Sequence, residues 1–295
     1  MKQAEEIQID TPLGQRAGLR WRRPDGPRVL CLHGWLDNAA SFVPLAPLLD
    51  KLDLFALDLP GHGYSEHRHK TARYHFIDYL WDVDAVLDAL AWESCHLIGH
   101  SMGGAIATVY AAGAPERVTS ATLLDALGPI SVSAESSTQR LRRSLLKNRR
   151  QSRGSRQYAS IDEMIAARRR NSDFSEASAR LICERSARHL EDGFEWRSDP
   201  ALNWVSSLVM TDEQALDFLR NIEAPMSSFM ATPPAPWSSA EITAIRMNAL
   251  RRCKQHTIEG HHHFHMDEPE KIAASIQTFI ETTDSRDTYE QGNKD

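Results

Sequence analysis

Cysteine is scarce in this chain: Cys31, Cys95, Cys183 and Cys253 are scattered through 295 residues without paired or metal-ligand spacing. That spacing speaks against a disulfide-stapled scaffold and against a cysteine-ligated zinc module. Cys31 and Cys95 fall inside apolar, strand-like runs, where a thiol acts as a small apolar group. Long hydrophobic runs are also missing. None reaches the roughly 18 residues that a membrane-crossing helix needs, and Met1-Lys2-Gln3-Ala4-Glu5-Glu6 lacks a signal-peptide core. Nor is there an excess of positive charge. The formal net charge is −6, which gives no global case for nucleic-acid binding. These absences lead to the expectation of a reducing, cytoplasmic setting, with no integral membrane segment and no nucleic-acid partner. They say nothing of oligomeric state, and no internal repeat is visible.

The chain does have ordinary globular composition, 41% hydrophobic and 25% charged. Its length suits one α/β domain with an insertion better than two independent domains. Residues 5–10 and 16–22 read as a hairpin turned by Thr11-Pro12-Leu13-Gly14. Strands are expected at 29–32, 54–57, 94–98, 121–124, 226–230 and 255–258. Helices are expected at 39–49, 76–91, 102–113, 212–222, 241–252 and 270–282. Alternation of this kind implies a mostly parallel sheet with helices on both faces.

The alternation breaks at Gly128-Pro129. Residues 130–205 hold helix-like segments without a convincing core strand. Within them, residues 139–170 carry eleven Lys or Arg against Asp162 and Glu163. The expected organisation is a core of residues 1–128 and 206–283, a helical lid of residues 129–205 over the sheet's C-terminal edge, and a flexible tail of residues 284–295. The basic stretch reads either as a solvated lid face or as a surface that attracts anionic molecules.

The most informative stretch is Gly99-His100-Ser101-Met102-Gly103, which fits G-x-S-x-G. A short buried strand precedes it and an Ala-rich helix follows. A serine in a tight strand-to-helix turn is the arrangement of a nucleophile elbow. Side chains at Gly99 or Gly103 would collide with neighbouring backbone there, and the strained turn lifts the Ser101 hydroxyl clear of the sheet. A serine hydroxyl is a poor nucleophile until an oriented base takes its proton.

The run Gly260-His261-His262-His263-Phe264-His265 offers four candidate bases. Here the chain resembles the α/β-hydrolase superfamily, over residues 5–128 and 206–282. In that family the catalytic histidine precedes a helix-starting proline by seven residues. Pro269 starts the last helix, so the resemblance implies His262 as the base. His261 and His263 are alternatives, and His265 reads as a structural histidine. The chain order of the family is Ser, acid, His. Its usual acid position, the loop 231–237, holds no carboxylate. The second position implies Asp125, in Leu123-Leu124-Asp125-Ala126, with Glu241 as the alternative. His33-Gly34-Trp35 resembles the family's H-G-x signature, so the oxyanion hole is expected from the backbone N–H groups of Met102 and Trp35. Asp58-Leu59-Pro60-Gly61-His62-Gly63-Tyr64-Ser65 resembles the family's D-x-x-G-x-G-x-S turn, which makes His62 structural rather than catalytic.

A narrower resemblance is to the serine hydrolase-like protein group. It rests on Asp58 to Gly63, Leu124-Asp125-Ala126 and His265-Met266-Asp267-Glu268-Pro269. Haloalkane dehalogenases and epoxide hydrolases share the layout but carry aspartate where this chain has Ser101. The implied function is a cofactor-free serine hydrolase acting on a small ester or thioester through an acyl-enzyme. Acyl transfer, C–C bond hydrolysis and a non-catalytic ligand-binding role are the alternatives on the same fold. Trp196, Trp204 and Trp237 are candidate linings of an apolar pocket. His263-Phe264-His265-Met266-Asp267 also matches H-x-H-x-D, a dinuclear-metal pattern, but no further ligands follow at workable spacing. No metal is expected.

Overall fold

The computed structural model describes residues 4–148, 156–170, 172–235 and 239–291. In chain order the elements begin with β1 (Glu5–Thr11), β2 (Gly14–Trp21), β3 (Arg28–Leu32), β4 (Asp53–Leu57), α1 (Asp78–Ala89), β5 (Cys95–His100), α2 (Met102–Gly113) and β6 (Val118–Leu124). The insertion follows with α3 (Ser137–Asn148), β7 (Gln157–Tyr158), α4 (Ile161–Arg169), α5 (Glu176–Ser186), β8 (Ala187–Leu190) and β9 (Gly193–Trp196). The chain then returns to the core with α6 (Asp212–Arg220), β10 (Met226–Thr232), α7 (Ala240–Ala249), β11 (Cys253–Glu259), α8 (Phe264–Asp267) and α9 (Glu270–Gln291).

Eight strands form one sheet in the order β1-β2-β4-β3-β5-β6-β10-β11. The β1–β2 and β2–β4 pairs are antiparallel, and every pair from β4 to β11 is parallel. Central strands such as β5 and β6 are buried on both faces because helices cover both. One face packs Leu97 and Leu123 against Val83, Val86, Ile106 and Tyr110 of α1 and α2. The other packs Ile98 and Phe229 against Phe42, Ile272 and Ile276. Each such fully buried aliphatic side chain contributes about 1.5–3 kcal/mol relative to exposure.

Two local expectations are corrected. Residues 39–49 form two short 3-10 turns, Ala39–Phe42 and Ala46–Leu48, instead of one helix. Pro44 and Pro47 lack the backbone N–H groups that a continuous helix would use there. The insertion is also not purely helical, since β7, β9 and β8 pair as a small antiparallel sheet. The strands are too short to show a period, and the β8–β9 hairpin turns at Glu191-Asp192-Gly193, with Gly193 at φ 123°. The insertion has its own core of Met164, Ile165, Phe174, Ala179 and Cys183.

Buried polar bonds dock the insertion on the sheet domain. Arg185 of α5 donates to both carboxylate oxygens of Asp58 at 2.7–3.0 Å and to Glu6 at 2.7 and 2.8 Å. Asn38 donates to the Ile182 carbonyl and to Ser186 Oγ at 2.9 and 2.8 Å. Asp267 accepts from Ser175 N–H and from the Ser175 and Ser178 hydroxyls at the start of α5.

Candidate active site

Four loops converge at the C-terminal edge of the parallel strands, where open α/β sheets bind ligands. They follow β3, β5, β6 and β11, and they carry Trp35, Ser101, Asp125 and His262. Among the described residues, four non-glycine residues have positive φ, and three lie in these loops: Leu36 (61°), Ser101 (50°) and Asp125 (46°). Such conformations cost on the order of 1–3 kcal/mol each and persist where the surroundings impose them.

Ser101 stands immediately before α2 with φ 50° and ψ −115°. The close approach at the turn explains its glycines. A Cβ on Gly99 would lie 2.5 Å from the Gly103 carbonyl oxygen, and a Cβ on Gly103 only 2.0 Å from that of Leu32. Met102 begins the helix, so its N–H is among those that an α-helix leaves without an intrahelical partner.

Asp125 and His262 meet. His262 Nδ1 lies 2.6 Å from Asp125 Oδ2, and the other oxygen, Oδ1, accepts from the Ala231 N–H at 2.9 Å. The Asp125 N–H in turn donates to the Phe229 carbonyl at 2.8 Å, so β10 fixes the residue at both ends. Burial pushes the Asp125 carboxyl up, but the bonds from His262 and Ala231 outweigh it and hold the group below its ordinary value. An ionised carboxylate only accepts, so this bond places a ring proton of His262 on Nδ1. Glu241 lies exposed in the first turn of α7.

Two buried imidazoles pin the loop that carries Trp35. His33 Nε2 accepts from the Leu59 N–H at 3.0 Å while Nδ1 donates to the Gly34 carbonyl at 2.7 Å. His62 Nε2 accepts from the Leu36 N–H at 3.2 Å while Nδ1 donates to the Pro60 carbonyl at 3.1 Å. Burial pushes both histidines down, His62 to about 3, so both are neutral connectors at neutral pH.

The remaining histidines of the run separate. His261 Nε2 bonds Asp267 at 2.9 Å, and this partner raises its pKa. His263 Nε2 turns to Asp37 at 3.3 Å. His265 is fully buried beside His100, with ring centroids 4.1 Å apart. The H-x-H-x-D pattern is therefore not assembled as one ligand set, because Asp267 is engaged by His261, Ser175 and Ser178. The candidate pocket aromatics are also dispersed. Trp196 packs in the insertion's own core and donates from Nε1 to Tyr158 Oη at 3.0 Å. Trp204 lies under the Arg73 guanidinium at 4.3 Å, and Trp237 lies outside the described residues. Phe174, by contrast, reaches the site, its ring edge-on to His263 at 4.5 Å.

Asp37, His100 and Arg168 escaped the sequence reading. Arg168 of α4 donates to Asp37 Oδ1 at 2.7 Å, and His100 Nε2 donates to the His262 carbonyl at 3.0 Å. Burial would raise the Asp37 carboxyl, but His263, His100 and Arg168 together pull it well below its ordinary value. Burial pushes His100 down to about 3, which leaves it neutral. The signals were present in adjacency alone: Asp37 lies two residues beyond Trp35, and His100 precedes Ser101.

Comparison with known proteins defines the class. A family model for the alpha/beta hydrolase fold matches residues 27–223. A serine hydrolase-like protein of Danio rerio is 32% identical over 306 aligned positions, covering 99% of this chain and 93% of that protein. Serine hydrolase-like protein 2 of Homo sapiens is 27% identical, covering 94% of each chain. The crystal structure of a hypothetical protein of Pseudomonas aeruginosa PAO1 superposes with a TM-score of 0.88 at 35% identity, covering 94% of this chain and 99% of that one. The chain belongs to the α/β-hydrolase superfamily, within its serine hydrolase-like group, and is a hydrolase of that fold. None of its described helices is long and apolar enough to cross a membrane.

Proposed function

We propose that the protein is a serine hydrolase that cleaves a small carboxylic ester or thioester through an acyl-enzyme. The observation that carries this reading is the 2.6 Å bond between His262 Nδ1 and Asp125, on the same sheet edge as a serine held at φ 50°.

In this mechanism His262 Nε2 takes the Ser101 proton as Oγ attacks the substrate carbonyl carbon. Negative charge develops on the carbonyl oxygen, and the N–H groups of Met102 and Trp35 are the donors proposed to receive it. Asp125 keeps the imidazole in the Nδ1–H tautomer and stabilises the imidazolium that forms. Collapse of the intermediate expels the alcohol or thiol, which takes the proton from His262. Water then attacks the acyl-enzyme with His262 again as base, releasing the acid and restoring Ser101. None of these steps calls for a cofactor.

Phe174 beside His263, together with the exposed Trp35 at the mouth of the loop after β3, favours an apolar acyl or aryl group. The test is an activity screen over acyl-chain length in matched esters and thioesters, run with Ser101→Ala alongside. Turnover by the wild type that falls by at least about a thousandfold in the variant supports the reading. Equal turnover in both, or acyl transfer to an added alcohol in place of hydrolysis, would replace it.

A further inference from the structure

Beneath the candidate triad three buried side chains face a common gap. Asp37 Oδ2 lies 3.5 Å from His100 Nδ1 and 3.3 Å from His263 Nε2, and the three atoms fall within 4.8 Å of one another. His100 spends its Nε2 proton on the His262 carbonyl. Its other nitrogen, Nδ1, is the one that faces the Asp37 carboxylate oxygen. A cation in that gap would meet one carboxylate oxygen and two ring nitrogens in a dry interior, where a charge needs such partners.

Other features leave room and donor atoms for an ion. His100 Nδ1, His263 Nδ1 and both nitrogens of His265 are buried without a hydrogen-bond partner among the described residues. A Cβ on Gly34 would lie 2.9 Å from both Asp37 Oδ2 and His100 Nδ1, so the glycine leaves their gap open. Tetrahedral ligands about 2.0–2.1 Å from a zinc ion stand about 3.4 Å from one another, close to the 3.3 and 3.5 Å observed.

We propose that Asp37, His100 and His263 form a binding site for a divalent transition-metal ion of the zinc type. Two imidazoles and one carboxylate suit zinc and its neighbours better than calcium or magnesium, which take oxygen ligands. His263 binds through Nε2 once its ring proton moves to the unpartnered Nδ1, so no proton need leave the protein. Arg168 holds Asp37 Oδ1 and aims Oδ2 at the gap, as outer partners of metal ligands do. The bound ion stands outside the serine chemistry. Through His100 and its bond to the His262 carbonyl, it clamps the loop that carries the base.

The test strips the full-length protein with a chelator, dialyses it against excess Zn²⁺ and then buffer, and measures retained metal by mass spectrometry. Co²⁺ loading followed by visible spectroscopy reports coordination. We expect one retained ion per chain, the intense d–d bands of tetrahedral Co²⁺, and a higher Tm with Zn²⁺ than without. Asp37→Asn and His263→Gln should each weaken binding by at least about tenfold, since loss of even an outer partner costs that much. His261→Gln and His262→Gln should retain it. Absence of a retained ion in the wild type, or of tetrahedral Co²⁺ bands, overturns the proposal. So does binding that survives Asp37→Asn and disappears in His262→Gln, which would put the ion on the exposed base. The wild-type measurements decide even if a variant fails to fold.

Discussion

Leu36, Ser101 and Asp125 adopt left-handed backbone that their side chains disfavour, and each lies in a connection that follows a parallel strand at the same sheet edge. Strain of this kind is kept where surrounding structure over-determines it, and at Asp125 the fixing bonds are visible on both the amide and the carboxylate. Asp125→Asn is therefore the cleanest probe of the site. Asparagine tolerates positive φ and can still accept from Ala231. It also presents an amide N–H to His262 Nδ1 and so favours the wrong tautomer. We expect a loss on the order of 10⁴ in kcat with little change in Tm, by analogy with the serine protease example. Glu241→Gln should leave kcat within about twofold, as surface substitutions away from a site do little. Steady-state kinetics on both variants checks this, and the opposite ranking would move the acid to α7.

At the level of elements, the insertion is docked by few but buried contacts. Arg185 reaches from α5 to Asp58, which is fully buried and also accepts from the Ala39 and Tyr64 N–H groups. Arg185→Met keeps most of the volume but strands the Asp58 charge. Breaking a buried pair on one side costs about 3–5 kcal/mol, so denaturant unfolding should show a loss of that size. A loss under about 1 kcal/mol would mean that the insertion is held by other contacts. Asp267 makes the second tie, between the histidine loop and the start of α5. Burial is the largest single influence and pushes its carboxyl up, but the bonds from His261, Ser175 and Ser178 together outweigh it and hold the group below the ordinary 3.8. His261 is raised above 6.5 by the same pair. A depressed carboxyl stabilises above its unfolded value and loses that as pH falls through the folded one. A raised histidine stabilises below its unfolded value and loses that as pH rises through the folded one. The Tm difference between wild type and Asp267→Asn should therefore be widest between about pH 4 and 6.5 and narrow on both sides. A difference independent of pH would show that the tie is not electrostatic.

Over the whole molecule, what was legible in the sequence followed period and spacing. Apolar runs marked β3, β5 and β6, and the G-x-S-x-G turn located Ser101. His262 and Asp125 were implied by the family resemblance, applied to the distance from Pro269 and to the carboxylate-free loop 231–237. The helix expected at 39–49 failed because two prolines outweighed its apolar pattern. The three-stranded sheet of the insertion escaped because pairs of two to four residues carry no period. The polar cluster under the triad was illegible for another reason. Asp37, His100, Arg168 and His263 come from four distant segments, and only tertiary packing brings them together.

The most direct test of the account is covalent labelling by a fluorophosphonate, read by peptide mass spectrometry. The probe reacts with a serine whose proton is taken by an oriented base. One adduct on Ser101 is expected in the wild type, none in Ser101→Ala, and labelling slowed by at least about a hundredfold in His262→Ala, the lower range of general-base contributions. A wild type that resists the probe, or labels at Ser101 just as fast without His262, would contradict a catalytic pairing of Ser101 with His262 and Asp125.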